Sequence, residues 1–201
     1  RAAVIGGCVG TSNVLAGEMF DVPVMGTHAH SWIMTFKDEY TAFKEYARLY
    51  PDACTLLVDT YDTLKSGVPN AIRVFTEMRE AGIKPKSYGI RLDSGDLAYL
   101  SKKARKMLDD AGFQDAVIAA SNDLDETLIS SLKLQGAAIN SWGVGTNLIT
   151  SKDCPSFGGV YKLAAIQDKA TGTFIPKIKL SENAEKITNP GNKTIRRIYA
   201  K

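Results

Sequence analysis

Cys54-Thr55-Leu56-Leu57-Val58-Asp59 and Tyr88-Gly89-Ile90-Arg91-Leu92-Asp93 are two short apolar runs, each ended by an aspartate. Runs of this length without alternation are expected of strands buried on both faces. Between them Leu64, Val68, Ile72, Phe75 and Met78 recur at spacings of four and three, one apolar stripe of a helix that Gly82 stops. Strand, helix, strand with crossover spacing is a βαβ unit, and it repeats. Leu97, Leu100, Ala104 and Met107 mark a second helix stopped by Gly112, and Ala116–Ala120 is a third strand ending at Ser121-Asn122-Asp123. Asp123 and Glu126 resemble a capping box for a helix carrying Leu124, Leu128 and Leu132. Ala138–Trp142 reads as a fourth strand, running into Gly143-Val144-Gly145. Crossovers of one hand give either an open doubly wound sheet or a barrel, and both place ligands at the carboxyl ends of strands. Periodicity does not separate the two.

Upstream, residues 1–20 read as a helix end, a glycine-rich break and a new helix from Thr11 or Ser12 through Phe20, with those two residues as N-caps. Val22–Met25 is a short strand that enters a Gly26-Thr27 turn, and both histidines of the chain, His28 and His30, follow at once. A charged helix punctuated by Phe43 and Ala47 then stops at Pro51. Downstream of Gly158-Gly159 the period changes from helical to alternating. Tyr161–Ile166 and Phe174–Leu180 flank a Thr171-Gly172 turn as a hairpin, and Ile195–Tyr199 adds a further strand after Pro190-Gly191. The expected division is an α/β domain over 1–160 and a strand-rich basic segment over 161–201.

Composition narrows the function classes. With 44% hydrophobic and 23% charged residues, the 201-residue chain is an ordinary globular sequence able to bury one good-sized core. No apolar run approaches the eighteen or so residues of a membrane span, so no membrane partner is expected. Cys8, Cys54 and Cys154 are odd in number and scattered, neither a disulfide framework nor a zinc site, which suits a reducing cytoplasm. Residues 1–160 carry 16 Lys+Arg against 19 Asp+Glu, and residues 161–201 carry 9 against 3. The basic residues of the tail alternate with apolar ones and no aromatic series accompanies them, so a solvated strand face is favoured over nucleic acid. The opening Arg1-Ala2-Ala3 lacks an initiator Met and a signal-peptide pattern, and the chain reads as an excerpt.

Strand-end residues carry the chemistry. Histidine can act as acid, base or nucleophile near neutral pH; for His28 a role in orienting its turn is favoured over chemistry. Arg91 lies in an otherwise apolar strand, where a guanidinium demands an acidic partner or a phosphate. Asp59 and Asp93 are the internal partners on offer. Asp93 and Ser94 present oxygens at a strand end, while Asp96 reads as the cap of the next helix. Asp59 and Asp123 can reach Mg²⁺ or a hydroxyl, with capping favoured for Asp123. Ser121 and Asn122 are small polar groups suited to a site floor, and Asn13 either caps its helix or faces a ligand. Gly143-Val144-Gly145-Thr146 lacks the third glycine of a dinucleotide fingerprint, yet its backbone N–H groups can converge on one phosphate. Arg105 is expected on a solvated helix face.

Four ordered stretches carry a resemblance. Gly26-Thr27-His28-Ala29-His30-Ser31-Trp32 is similar to the Gly-Thr-x-Ala-His-x-Trp segment of the nicotinate phosphoribosyltransferase family. Gly10-Thr11-Ser12-Asn13, Arg91-Leu92-Asp93-Ser94-Gly95-Asp96 and Trp142-Gly143-Val144-Gly145-Thr146 resemble the same family in order and rough spacing. The resemblance implies an incomplete (β/α) barrel-like phosphoribosyltransferase domain followed by a β-rich segment. It implies an enzyme that joins nicotinate to phosphoribosyl pyrophosphate, with ATP hydrolysed through a phosphohistidine at His30 and Mg²⁺ carried on the substrate phosphates. Arg91 and Asp93 are then expected at the phosphoribosyl group, and Asn13, Thr27, Asp59, Ser121, Asn122, Gly143, Gly145 and Thr146 around substrate and phosphate. A homodimer is implied for the full-length enzyme, and little activity for these 201 residues alone. The nicotinamide-specific relative carries an aspartate at the position of Asn13, so the asparagine favours nicotinate. An aldolase or isomerase barrel would need a lysine or an acid–base pair at strand ends, and neither is found.

Overall fold

A computed structural model describes residues 1–156, 162–178, 187, 191 and 193–199. Two compact units divide the chain, Arg1–Pro155 and Ser156–Lys201. The expected change at Gly158-Gly159 lies outside the described residues.

The first unit is built on four parallel strands, β1 (Ala53–Leu57), β2 (Ser87–Leu92), β3 (Val117–Ala120) and β4 (Ser141–Trp142), in the unbroken order β1-β2-β3-β4. An open doubly wound sheet reverses its order at a switch point; this sheet does not, and it has the progression of a barrel segment. Leu56, Ile90 and Ile118 stand in register on neighbouring strands and are fully buried. Removing each from water contributes about 1.5–3 kcal/mol. The helices α4 (Glu39–Leu49), α5 (Val68–Glu80), α6 (Leu97–Asp110) and α7 (Glu126–Leu134) follow the predicted stripes, burying Phe43, Val74, Phe75, Ala104, Leu108 and Leu132. Asp96 caps α6 by accepting from Tyr99 N–H at 2.9 Å, as its position predicted.

Several local expectations are corrected. The helix end expected first is α1 (Ala2–Ile5), but Thr11 and Ser12 do not cap a helix: α2 spans Val14–Phe20 and Asn13 caps it, taking the Ala16 N–H at 2.9 Å. Val22–Met25 forms no strand, only a parallel bridge between Val24 and Thr11. Asp123 has a positive φ of 45° and caps nothing; Asp125 caps α7, accepting from Leu128 N–H at 2.7 Å. Leu124 is buried ahead of the helix, and Leu128 is exposed. The fourth strand shrinks to two residues because Asn140 uses its side-chain oxygen on Ile118 N–H while its own N–H meets the Ile118 carbonyl. Arg105 is not solvated: it donates to Asp109 at 2.9 Å and to the carbonyls of Ala116 and Phe113, tying α6 to the loop before β3.

The helix expected to carry Leu64 begins instead with a π-helical turn, Thr63–Gly67, whose first N–H groups are taken by the Asp62 carboxylate. Gly67 explains the turn's position: a Cβ there would lie 1.8 Å from the Val58 carbonyl oxygen, so only glycine lets the turn close on the end of β1. In the second unit β5 (Ala165–Gln167) and β6 (Phe174–Pro176) pair antiparallel, a shorter hairpin than the predicted one, of which Tyr161, Lys179 and Leu180 lie outside the described residues. Ile195–Tyr199 is described and is not a strand. Among the described residues no helix is long and apolar enough to cross a membrane.

Candidate active site

The aspartates that end β1 and β2 meet the second histidine. His30 is the first residue of α3 (His30–Met34), a helix too short to supply much dipole, and side chains hold its ring. Nδ1 lies 2.9 Å from Thr60 Oγ1, and Nε2 lies 3.6 Å from Asp93 Oδ2 and 3.9 Å from Asp59 Oδ1. The ring is 38% exposed and Asp93 34%, while the Asp59 carboxylate is 1% exposed, so the imidazole and Asp93 are open to a ligand and Asp59 behind them is not. Asp59 Oδ2 accepts from Asp93 N–H at 2.8 Å and from Ser94 Oγ at 2.6 Å, which locks the β1 end to the β2 end. Ser121, at the end of β3, donates to Asp93 Oδ1. Sequence reasoning anticipated His30, Asp59, Asp93 and Ser121, and the structure brings all four together.

Asp59 Oδ1 is buried and has no hydrogen-bond partner. Buried carboxylate oxygens are normally satisfied, so this atom awaits either the His30 proton or a cation. Among the described residues no cluster of three or more His, Cys, Asp or Glu is arranged to hold a metal by itself. That donor set fits Mg²⁺ in its commonest mode, one or two carboxylates supplemented by substrate phosphates. Arg91, on β2 between Leu57 and Ala119, forms no ion pair with Asp59 or Asp93, and its buried Nε has no partner. The internal salt bridge offered as its alternative role is absent among the described residues. An uncompensated guanidinium in a strand is costly, and an anionic ligand is what would satisfy it.

The remaining candidates lie apart from this network. Thr27 Oγ1 donates to the His28 carbonyl at 3.2 Å, shaping the turn ahead of His30. Asn13 spends its side-chain oxygen as the cap of α2. Asn122 follows Ser121 with φ of 93°, a strained conformation of the kind found at functional sites. Gly143 N–H is taken by the Ala120 carbonyl at 2.8 Å. It is therefore not free for an anion, and the N–H groups left are those that open α8 (Thr146–Ile149) after Gly145. Thr60 was not foreseen, although its place directly after Asp59 was a signal. Glu39 was missed as well. Buried in α4, it accepts from Ser66 Oγ at 2.5 Å and Asn70 Nδ2 at 3.3 Å, fastening the π-helical turn, and burial pushes its carboxyl above the usual range.

The profile of the nicotinate phosphoribosyltransferase (NAPRTase) family matches residues 2–200. The chain is 60% identical over 198 residues to nicotinate phosphoribosyltransferase of Bacillus subtilis, covering 98% of this chain and 39% of that protein. To the Dictyostelium discoideum enzyme it is 41% identical over 244 residues, covering 99% and 40%. Human nicotinic acid phosphoribosyltransferase superimposes with a TM-score of 0.64 at 28% identity, over 71% of this chain and 39% of that chain. Nicotinate phosphoribosyltransferase of Porphyromonas gingivalis gives 0.56 at 26%, over 90% and 48%. The chain spans about two fifths of the length of the curated relatives it matches. With a profile match over nearly its whole length and four motifs in order, this chain belongs to the nicotinate phosphoribosyltransferase family.

Proposed function

We propose that the chain supplies the phosphoribosyl wall and the phosphate-accepting histidine of an enzyme that makes nicotinate mononucleotide, a precursor of NAD. The substrates are nicotinate, phosphoribosyl pyrophosphate and ATP, and the working form is a cytoplasmic homodimer of the full-length enzyme. The observation that carries this reading is the His30 imidazole, exposed on one side and backed by Asp59 and Asp93 on the other.

The sugar transfer needs no general base, because the pyridine nitrogen brings its own lone pair. A C–N bond forms at the anomeric carbon as the C–O bond to pyrophosphate breaks, and the electron pair leaves with pyrophosphate. The site's task is to hold an oxocarbenium-like sugar and a polyanion in place. Asp93 is fixed by Ser121 and by its backbone bond to Asp59, so its free oxygen is pre-set for a ribose hydroxyl or for His30. Arg91 and the N–H groups ahead of α8 are the cationic and dipolar groups suited to phosphate.

In the ATP half-reaction an imidazole lone pair of His30 attacks the γ-phosphorus. An N–P bond forms, the bridging P–O bond breaks, and its electrons leave with ADP; water later cleaves the N–P bond to inorganic phosphate. Thr60 holds the ring orientation. A phosphate on this ring lies beside two carboxylates, an arrangement that charge alone opposes. Asp59 and Asp93 are the residues that would hold Mg²⁺, which supplies the neutralising charge for the transferred group.

The test is made on the full-length enzyme. Nicotinate mononucleotide formation is followed with nicotinate or nicotinamide as acceptor, with and without ATP. Strong preference for nicotinate, and stimulation by ATP that is lost in His30→Asn, is expected. Equal use of both pyridines, or ATP stimulation that survives in His30→Asn, overturns the reading.

A further inference from the structure

His28 takes no part in the chemistry above, yet it is 7% exposed and both its ring nitrogens are engaged. Nε2 accepts the Leu57 N–H at 3.3 Å, and Nδ1 faces the Ala29 carbonyl at 3.5 Å. The ring stands edge-on to Tyr46, centroids 4.6 Å apart, and tilted against Phe43 at 6.0 Å. β1 is the outer strand of the described sheet, with β2 on its one paired side. Val58 donates its N–H to the Arg91 carbonyl on β2. Alternate N–H groups along a parallel strand point to opposite sides, so the Leu57 N–H points away from β2 to the unpaired edge. A buried N–H without an acceptor is costly, and His28 supplies the acceptor that a neighbouring strand otherwise would. Accepting at Nε2 places the ring proton on Nδ1, where it is donated to Ala29.

The register is informative. His28 is two residues before His30, and Leu57 is two residues before Asp59. The His28–Leu57 contact therefore pins two segments side by side, two positions ahead of the place where His30 meets Asp59 and Thr60. α3 itself is too short to fix its first residue, and Ala29 caps it without a side-chain bond.

We propose that His28 is a positioning residue, a side-chain staple that docks the segment before His30 onto the edge of β1. The reaching imidazole is thereby held against Thr60, Asp59 and Asp93. The inference rests on the reading that His30 accepts phosphate.

The experiment uses the full-length enzyme with His28→Leu, which fills the space without an acceptor, and His28→Gln, whose side-chain oxygen can still meet the Leu57 N–H. The rate of acid-labile labelling from γ-labelled ATP, kcat and the melting temperature are measured together. Misplacing a reacting group by about 1 Å costs on the order of a hundredfold, so His28→Leu is expected to lose about tenfold or more in labelling rate and kcat. His28→Gln is expected to recover most of that loss. A folded His28→Leu that labels at the wild-type rate overturns the staple, as does a folded His28→Gln no faster than His28→Leu. Long-range ¹H–¹⁵N spectra of the wild-type ring decide independently of labelling and of variant folding. A proton on Nδ1 supports the staple, and a proton on Nε2 contradicts it. Wild-type enzyme that takes no label while its His28 proton is on Nδ1 would refute the phosphohistidine reading and leave the docking intact.

Discussion

The carboxyl ends of β1, β2 and β3 are organised differently from the carboxyl end of β4. At the first three strands Asp59, Asp93, Ser94 and Ser121 hydrogen-bond one another across strand boundaries, and His30 and Thr60 join them from outside the sheet. At β4 the strand is two residues long, Gly143 is spent on the ladder, and α8 offers little beyond backbone N–H groups. Under the proposed function, the contrast separates two kinds of work within one rim. The side chains assigned to react or orient are the ones already hydrogen-bonded to one another, whereas the phosphate is left to backbone whose shape matters and whose side chains do not. Single-atom changes should therefore be severe on the first wall and mild on the second.

Asp59→Asn is the sharpest challenge to the first wall. An amide can still accept from Asp93 N–H and Ser94, but the buried charge behind His30 is gone. Removing one preorganised electrostatic group costs on the order of 10²–10³ in rate, and ATP-stimulated kcat is expected to fall by that amount with the fold retained. A loss below about fivefold would mean that Asp59 is a strand lock only.

Acid should act on the same wall through His28, whose pKa is lowered from 6.5 to about 4 chiefly by burial, opposed in part by its hydrogen bond to the Ala29 carbonyl and aided by the charge of Arg91. The fold favours the neutral ring, so the unfolded chain binds the extra proton between those two values. The contribution is fully present above about pH 6.5 and disappears as the pH falls towards 4, about 3 kcal/mol in all. Comparing chemical denaturation of the full-length enzyme and its His28→Gln variant at pH 7.5 and 4.5 isolates it. Wild type should lose more stability on acidification than the variant; equal losses would remove His28 from the acid response.

Arg91→Lys is expected to raise the KM for phosphoribosyl pyrophosphate about tenfold, since lysine keeps the charge and loses the planar two-point fork. Arg48→Lys, on an exposed helix face and paired with Glu45, should change little and is the proper control. Equal small effects would assign Arg91 to structure. On the second wall, Thr146→Ala removes a side chain and leaves the backbone N–H groups that open α8 in place. A change below about threefold is expected, as for surface substitutions in general. A loss as large as that from Asp59→Asn would erase the distinction between the walls.

The sequence made the first wall partly legible. Short apolar runs ended by Asp59 and Asp93 carry their own strand signal, and the ligand end of a parallel strand follows from topology alone. Asp96 could be placed as a cap because its partner is three residues away. What stayed hidden depends on groups distant in sequence and close in space. Thr60 matters because His30, thirty positions earlier, folds back onto it. Arg105 looked solvated because its carbonyl partners belong to the next loop. Asp125 displaced Asp123 as a cap because the backbone turns left-handed at Asn122 and Asp123, delaying the helix by two residues. The π-helical turn is set by Gly67 against Val58, a contact that no periodicity records.

The central claim is that His30 is the residue modified by ATP. Full-length enzyme is incubated with γ-labelled ATP and Mg²⁺, and the acid-labile label is mapped in wild type, His28→Ala and His30→Ala. The account predicts label on the peptide containing His30 in wild type, the same site labelled more slowly in His28→Ala, and none in His30→Ala. Label that persists in His30→Ala and disappears in His28→Ala would contradict it.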